Sequence, residues 1–255
     1  MDFGLNGKRA LVLGASRGLG AACALELARE GAHVFAAARS TDRVAEWAGD
    51  LQVEPVSLDL TNREQVDQFA QQMADEKIDI LINNCGGPPA GAALTTKSDA
   101  WKSAYEGIAL PIITITQALV PGMQARGFGR VITIGSSGVI SPIPNLALSN
   151  GVRGALAGWS KTLAAEVAAQ GVTVNMILPG RISTDRVDEL DAAKAKQTSQ
   201  DIDTVRAQSR ATIPAGRYGS PEEFAAVAAF LASTRASYLT GSMLRVDGGL
   251  LRNIG

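Results

Sequence analysis

Only two cysteines and one histidine occur in 255 residues, and aromatic residues make up 5%. Cys23 and Cys85 lack the spacing of a metal knuckle, which excludes structural zinc and a disulfide scaffold and fits a reducing compartment. The cytoplasm is therefore the expected location, and no metal site is expected. Charge of either sign is not in excess: 24 Lys+Arg against 25 Asp+Glu give a formal charge of -1. No summed field draws such a chain to nucleic acid or to an anionic membrane. No uninterrupted apolar run reaches the roughly 18 residues of a membrane span, and the start, MDFGLNGKRALVLGAS, has no basic region leading into a long apolar stretch. What remains is a chain that is 46% hydrophobic with 27 glycines. That composition suits a sheet covered by small-residue helices, at a length one core supports, so residues 1–255 are read as a single domain.

Strand-like and helix-like segments alternate along the chain. KRALVLG, the turn ASRGLG, the helical AACALELAREG and the strand AHVFAAAR form a βαβ unit, whose crossover makes neighbouring strands parallel. DLQVEPVSLDL, the amphipathic REQVDQFAQQMADEK and the apolar IDILINN repeat the pattern. A helix is expected from about Lys97 to Arg126, then the strand GRVITIGS, a helix ended by Gly171, the strand VTVNMILPG, a helix opened by Ser220 and Pro221, and a final strand in GSMLRVDGG. This predicts an α/β fold: one doubly wound Rossmann-type domain with a seven-stranded parallel sheet flanked by helices. Ligands of such sheets bind beyond the carboxyl ends of the strands, where the winding reverses.

The loop Gly14–Ala15–Ser16–Arg17–Gly18–Leu19–Gly20 falls between the first predicted strand and helix. Glycines there permit a tight turn and close approach to a pyrophosphate, and the helix N-terminus offers free N–H groups. At the end of the second strand an acid would hold a ribose diol, but the residue is Arg39, and Arg17 adds a second cation. Guanidinium pairs well with a 2′-phosphate, so NADP(H) is expected over NAD(H).

With three residues between its first two glycines, the loop resembles that of the short-chain dehydrogenase/reductase family. The resemblance covers essentially the whole chain. Asp59, followed by Leu60, resembles the acid that holds the adenine amino group. Asn83, Asn84 and Gly86 in NNCG resemble the family's NNAG, with Cys85 in place of alanine. Pro179, Gly180, Ile182 and Thr184 in PGRIST resemble the stretch at the nicotinamide end, and YLTGSMLRVDGG resembles the usual C-terminal segment. Ser136 in TIGSSG matches the catalytic serine, with Ser137 as the adjacent alternative. Thirteen residues after Ser136, where the family has YxxxK, the chain reads SNGVR. Ser149 replaces tyrosine, Arg153 replaces lysine, and Ile108 falls on the family's helix asparagine.

An aliphatic hydroxyl is a far weaker acid than the tyrosine it replaces, and a guanidinium stays charged and relays no proton. Arg153 is still able to hold nicotinamide ribose hydroxyls. His33 begins the second strand, at the wrong end of the sheet, so triads and imidazole acids are excluded. Tyr218 and Tyr238 flank the last helix and are read as structural, whereas Tyr105, one turn before Ile108, is a candidate to enter the pocket.

The resemblance implies an NADP(H)-dependent oxidoreductase, 3-oxoacyl carrier-protein reductase-like, acting on a small-molecule carbonyl or conjugated carbonyl, with Ser136 polarising the oxygen. The alternative is a cofactor-binding sensor or interaction protein without turnover. A homotetramer built on the long helices beside the fifth strand and on the C-terminal strand is also implied. The polar segment at about 183–211 is expected to be a lid, with Arg186, Arg206 and Arg210 as candidates to meet an anionic substrate.

Overall fold

Short runs of valine, leucine, isoleucine and alanine form the strands β1 (Arg9–Leu13), β2 (His33–Ala38), β3 (Val53–Ser57), β4 (Ile80–Asn83), β5 (Gly129–Ile134), β6 (Val172–Pro179) and β7 (Met243–Val246). In this computed structural model, which describes residues 2–254, they pair in parallel as one sheet in the order β3-β2-β1-β4-β5-β6-β7. The chain starts at the centre, winds out to β3, returns to lay β4 beside β1 and winds the other way to β7. The reversal between β1 and β4 opens the crevice at the carboxyl ends. Pro55 sits in β3, an edge strand, where a missing N–H is tolerated.

The helices are α1 (Gly18–Arg29), α2 (Thr41–Ala48), α3 (Arg63–Asp75), α4 (Ser98–Ala104), α5 (Leu110–Arg126), α6 (Ala147–Val167), α7 (Asp185–Thr198), α8 (Ile202–Ala211) and α9 (Pro221–Ala232). Alternate residues of the central strands serve the two faces. Val12 packs with Leu27 of α1 and Phe224 of α9, whereas Leu11 and Leu13 pack with Phe69 of α3 and Ile115 of α5. A third cluster, with Ile108, Ile112, Leu148, Leu156 and Leu178, underlies the carboxyl ends of β4 to β6.

The expected helix from Lys97 to Arg126 is interrupted. Tyr105–Ala109 form a π turn between α4 and α5, in which the Leu110 N–H bonds the Tyr105 carbonyl. Pro111 has no N–H to offer the Gly107 carbonyl, which favours the shift of hydrogen-bond register. By length and composition, Ser98–Arg126 is apolar enough to cross a membrane. Here Ile112, Ile115, Leu119 and Met123 are instead buried in the domain core.

Gly171 stops the α6 region as expected, in left-handed conformation, but through a 3₁₀ turn over Ala168–Gln170. Ser220 caps α9 in a reciprocal box: the Glu223 N–H donates to Ser220 Oγ at 3.3 Å, and the Ser220 N–H donates to the Glu223 carboxylate at 2.8 Å. Helix α2 has no counterpart in the sequence reading, since only Val44 and Ala48 are buried over its eight residues.

Candidate active site

The glycine loop leaves β1 through Gly14 at φ 62° and enters α1 through Gly18 at φ 60°, both in the left-handed region open to glycine. Arg17 precedes α1 with no side-chain cap, which leaves the first N–H groups of the helix available to an anion. Asn84 Nδ2 donates to the Gly14 carbonyl at 3.2 Å and ties the end of β4 to this loop. A Cβ at Gly20 would stand 2.3 Å from the Gly14 carbonyl oxygen, so Gly20 permits close packing and does not itself line the crevice.

Nearly all the other residues singled out by sequence face one cavity of about 930 Å³. Asn83 is the correction: its side chain is fully buried between β4, α5 and β5 and donates to Thr116 Oγ1 at 3.1 Å. It supports the sheet, and Asn84 faces the loop in its place. Asp59 Oδ1 accepts from the N–H and the hydroxyl of Thr61, at 2.9 and 2.8 Å. Those bonds hold its pKa below the usual carboxylate range. Arg39 is exposed on the cavity rim and forms no ion pair among the described residues.

Arg17 departs from expectation. Its guanidinium pairs with Asp185 at 3.0 Å and Glu189 at 3.5 Å, both on α7, and does not stand free beside Arg39. The segment expected to be a lid, at about 183–211, forms two helices, α7 and α8, whose Val187, Asp191, Ala195 and Val205 are buried. Fully buried Asp191 pins it, accepting from Arg181 and, at 2.8 Å, from the Tyr218 hydroxyl. Of the lid arginines, Arg186 reaches the cavity, Arg206 is held by Asp188 at 2.7 Å, and Arg210 is exposed away from it.

At the far end of the crevice, Ser136 follows β5 and its Oγ accepts from the Gly138 N–H at 3.1 Å, which frees its own proton for a ligand. Ser149 and Arg153 lie one turn apart on α6 and both line the cavity. Ser149 has no hydrogen-bond partner among the described residues. Arg153 Nη1 donates to the Ile134 carbonyl at 2.8 Å, and Nη2 approaches Cys85 Sγ at 4.0 Å. Asn150 clamps the loop after β5 by bonding both backbone groups of Ile143, at 2.9 and 3.3 Å. Ile108, on the π turn, closes the wall with an apolar side chain.

Besides the serines, the Cys85 thiol lines this cavity, whereas no tyrosine or histidine does among the described residues. Tyr105 is 40% exposed and, although adjacent to the π turn's cavity wall, does not line the cavity. Tyr218 is bound to Asp191, and burial together with that carboxylate pushes its pKa up. Tyr238 is fully exposed. His33 stacks on Phe35 at the amino end of β2, 3.5 Å from Glu54. Ser136, Ser149 and Arg153 thus line a cavity that no tyrosine or histidine reaches among the described residues.

The sequence profile described as "Enoyl-(Acyl carrier protein) reductase" matches residues 14–251. The 3-oxoacyl-[acyl-carrier-protein] reductase FabG of Vibrio cholerae is 36% identical over 253 residues, spanning 96% of this chain and 98% of that protein. The chain belongs to the short-chain dehydrogenase/reductase family. Two solved structures superpose closely. YwfH, an NADPH dependent reductase involved in bacilysin biosynthesis, has a TM-score of 0.92 at 28% identity, covering 98% of this chain and all of that one. L-Sorbose reductase from Gluconobacter frateurii, complexed with NADPH and L-sorbose, has a TM-score of 0.92 at 33% identity, covering both chains fully.

In this short-chain dehydrogenase/reductase the glycine loop, Ser149, Arg153 and Ile108 all face the one cavity. Asp185 and Glu189 are functional candidates that the sequence reading passed over. Their acidic spacing at the start of a helix suited a cap as well as it suited Arg17, and only the fold brings residue 17 to them.

Proposed function

We propose that this chain is an NADP(H)-dependent oxidoreductase that transfers hydride to or from a carbonyl or conjugated carbonyl of a small molecule. The nucleotide fits what is present. The loop is closed so tightly that a Cβ at Gly20 would fill it, N–H groups of α1 are uncapped, and Arg39 is an exposed cation on the cavity rim, of the chemistry a 2′-phosphate needs. NADP(H) supplies the hydride when bound. Gly14, Ser16, Gly18 and Leu19 would hold its pyrophosphate, Asp59 and Leu60 its adenine, and Pro179, Gly180, Ile182 and Thr184 its nicotinamide end.

The observation that carries the reading of the chemistry is that two hydroxyls and a guanidinium, Ser136, Ser149 and Arg153, offer N–H and O–H donors to the cavity. Such a set stabilises negative charge developing on a substrate oxygen. It does not deliver the proton that an ordinary ketone needs, since serine hydroxyls and guanidinium are poor acids. A conjugated carbonyl tolerates that lack, because its enolate takes a proton from solvent afterwards.

Two further features belong to this reading. Cys23 and Cys85 are both free thiols, which suits the cytoplasm. Exposed Leu110 on α5 and Met243 on the edge strand β7 suit a homotetramer built on those elements. The test is titration with NADPH and NADH, followed by absorbance loss across a panel of ketones and conjugated ketones. Binding of neither nucleotide contradicts the proposal.

A further inference from the structure

Two arginines are deeply buried in this fold, and they are used differently. Arg130, 3% exposed, spends its guanidinium on three carbonyls: Ser233 at 3.0 Å, Gly129 at 2.8 Å and Gly171 at 3.3 Å. It also stacks over the Phe128 ring at 4.2 Å, and burial pushes its pKa down. It touches no ligand cavity and reads as structural. Arg153, 8% exposed, has one strong bond, to Ile134, and one contact at the outer limit for sulfur, to Cys85. A guanidinium has five N–H donors, so most of its capacity is unspent on a group that lines the cavity.

Its charge is also uncompensated. The carboxylates that line the same cavity are committed elsewhere: Asp59 to Thr61, and Asp185 and Glu189 to Arg17. A buried charge without a counter-ion is costly, and neutral hydroxyls leave it so. Ser136 and Ser149 add neutral hydroxyls to the same cavity lining, and Arg186, near Gly87, is paired with Glu189 at 3.4 Å. Among the described residues no carboxylate that lines the cavity is left to pair with Arg153.

We propose that Arg153, beyond its part in supporting the reacting oxygen, uses its unspent donors to anchor a carboxylate on the substrate, so that the site favours a small free organic acid over a neutral thioester. The planar fork of the guanidinium matches two carboxylate oxygens, a pairing that neither a thioester carbonyl nor a ribose diol reproduces. This rests on the oxidoreductase reading for the presence of the nucleotide, and it differs from what the names of the carrier-protein reductases would suggest.

The test is calorimetric titration of the full chain with cinnamate and with cinnamamide, near-isosteres that differ in charge, with and without saturating NADP⁺. Cinnamate should bind about 10- to 100-fold more tightly than cinnamamide, the range for charge-assisted bonds. Arg153→Met should erase that difference and leave NADP⁺ affinity within about threefold, and Arg153→Lys should retain part of it. Equal binding of the two probes by the unmodified protein overturns the proposal and needs no variant to fold. So does an Arg153→Met protein whose NADP⁺ affinity falls by the same factor as its cinnamate affinity, which places the guanidinium on the cofactor. Failure to bind NADP⁺ at all overturns the oxidoreductase reading and this site with it. NADP⁺ binding without discrimination between the probes overturns the site alone.

Discussion

Arg17 and Asp185, 168 residues apart in sequence, meet at 3.0 Å where the glycine loop faces the first turn of α7. With Glu189 at 3.5 Å, the pair fastens α7 to the loop that is proposed to hold the phosphates. An incoming 2′-phosphate or pyrophosphate therefore competes with two carboxylates for one guanidinium. The double change Asp185→Asn with Glu189→Gln should raise NADPH affinity about two- to fivefold, the range for exposed ion pairs. The gain should shrink as salt rises. Fluorescence titration at low and high ionic strength checks this, and unchanged affinity at both would mean that Arg17 never leaves the lid.

Arg39 governs the choice of nucleotide in this account. Arg39→Asp should cost about tenfold or more in NADPH affinity and improve NADH, because an acid repels the 2′-phosphate and accepts the ribose diol. Equilibrium titration with both nucleotides measures the switch. Equal affinities in the unmodified protein would remove the basis for the preference.

Acid stability should carry a signature of α9. Arg217 meets the Glu223 carboxylate at 2.6 and 2.7 Å, and with the Ser220 N–H it pushes the Glu223 pKa from 4.5 down to about 2. A carboxyl with a depressed folded-state pKa contributes stability above its unfolded value and loses it as pH falls through the folded one. The contribution should therefore be intact above about pH 4.5 and fade toward pH 2. Glu223→Gln should flatten that part of the stability profile in denaturant melts run across this window.

Restoring the family's pair tests the cost of the substitutions. Ser149→Tyr with Arg153→Lys should raise ketone reduction by about 10²-fold, the lower range of general acid catalysis. Ile108→Asn should add to it by placing a polar group on the π turn. Steady-state rates with a simple ketone report the gain. No gain in a folded, NADPH-binding variant would show that the acid is supplied elsewhere.

The sheet was legible because β1, β4, β5 and β6 are buried on both faces and read as near-continuous apolar runs. Helix α9 was legible because Ser220 and Pro221 announce a cap. What escaped was decided by contacts distant in sequence. Neighbouring Asn83 and Asn84 read alike, and the parity of the strand sends one into the core and the other toward Gly14. Arg17 looked like a free phosphate ligand until α7 folded over it. The π turn was hidden in an ordinary helical pattern, with Pro111 as its only local sign. Spacing from Ser136 pointed to Ser149 and Arg153, but the unspent donors of Arg153 appear only once Ile134 and Cys85 are placed around it.

The central claim is that Ser136, Ser149 and Arg153 support charge on a substrate oxygen without supplying a proton. The most direct measurement compares NADPH-dependent steady-state reduction of 4-phenylbut-3-en-2-one with that of the saturated 4-phenylbutan-2-one near pH 7. The account predicts that the conjugated ketone is reduced faster by about 10²-fold or more, the size of a missing general acid. Robust reduction of the saturated ketone, abolished by Tyr105→Phe, would contradict it.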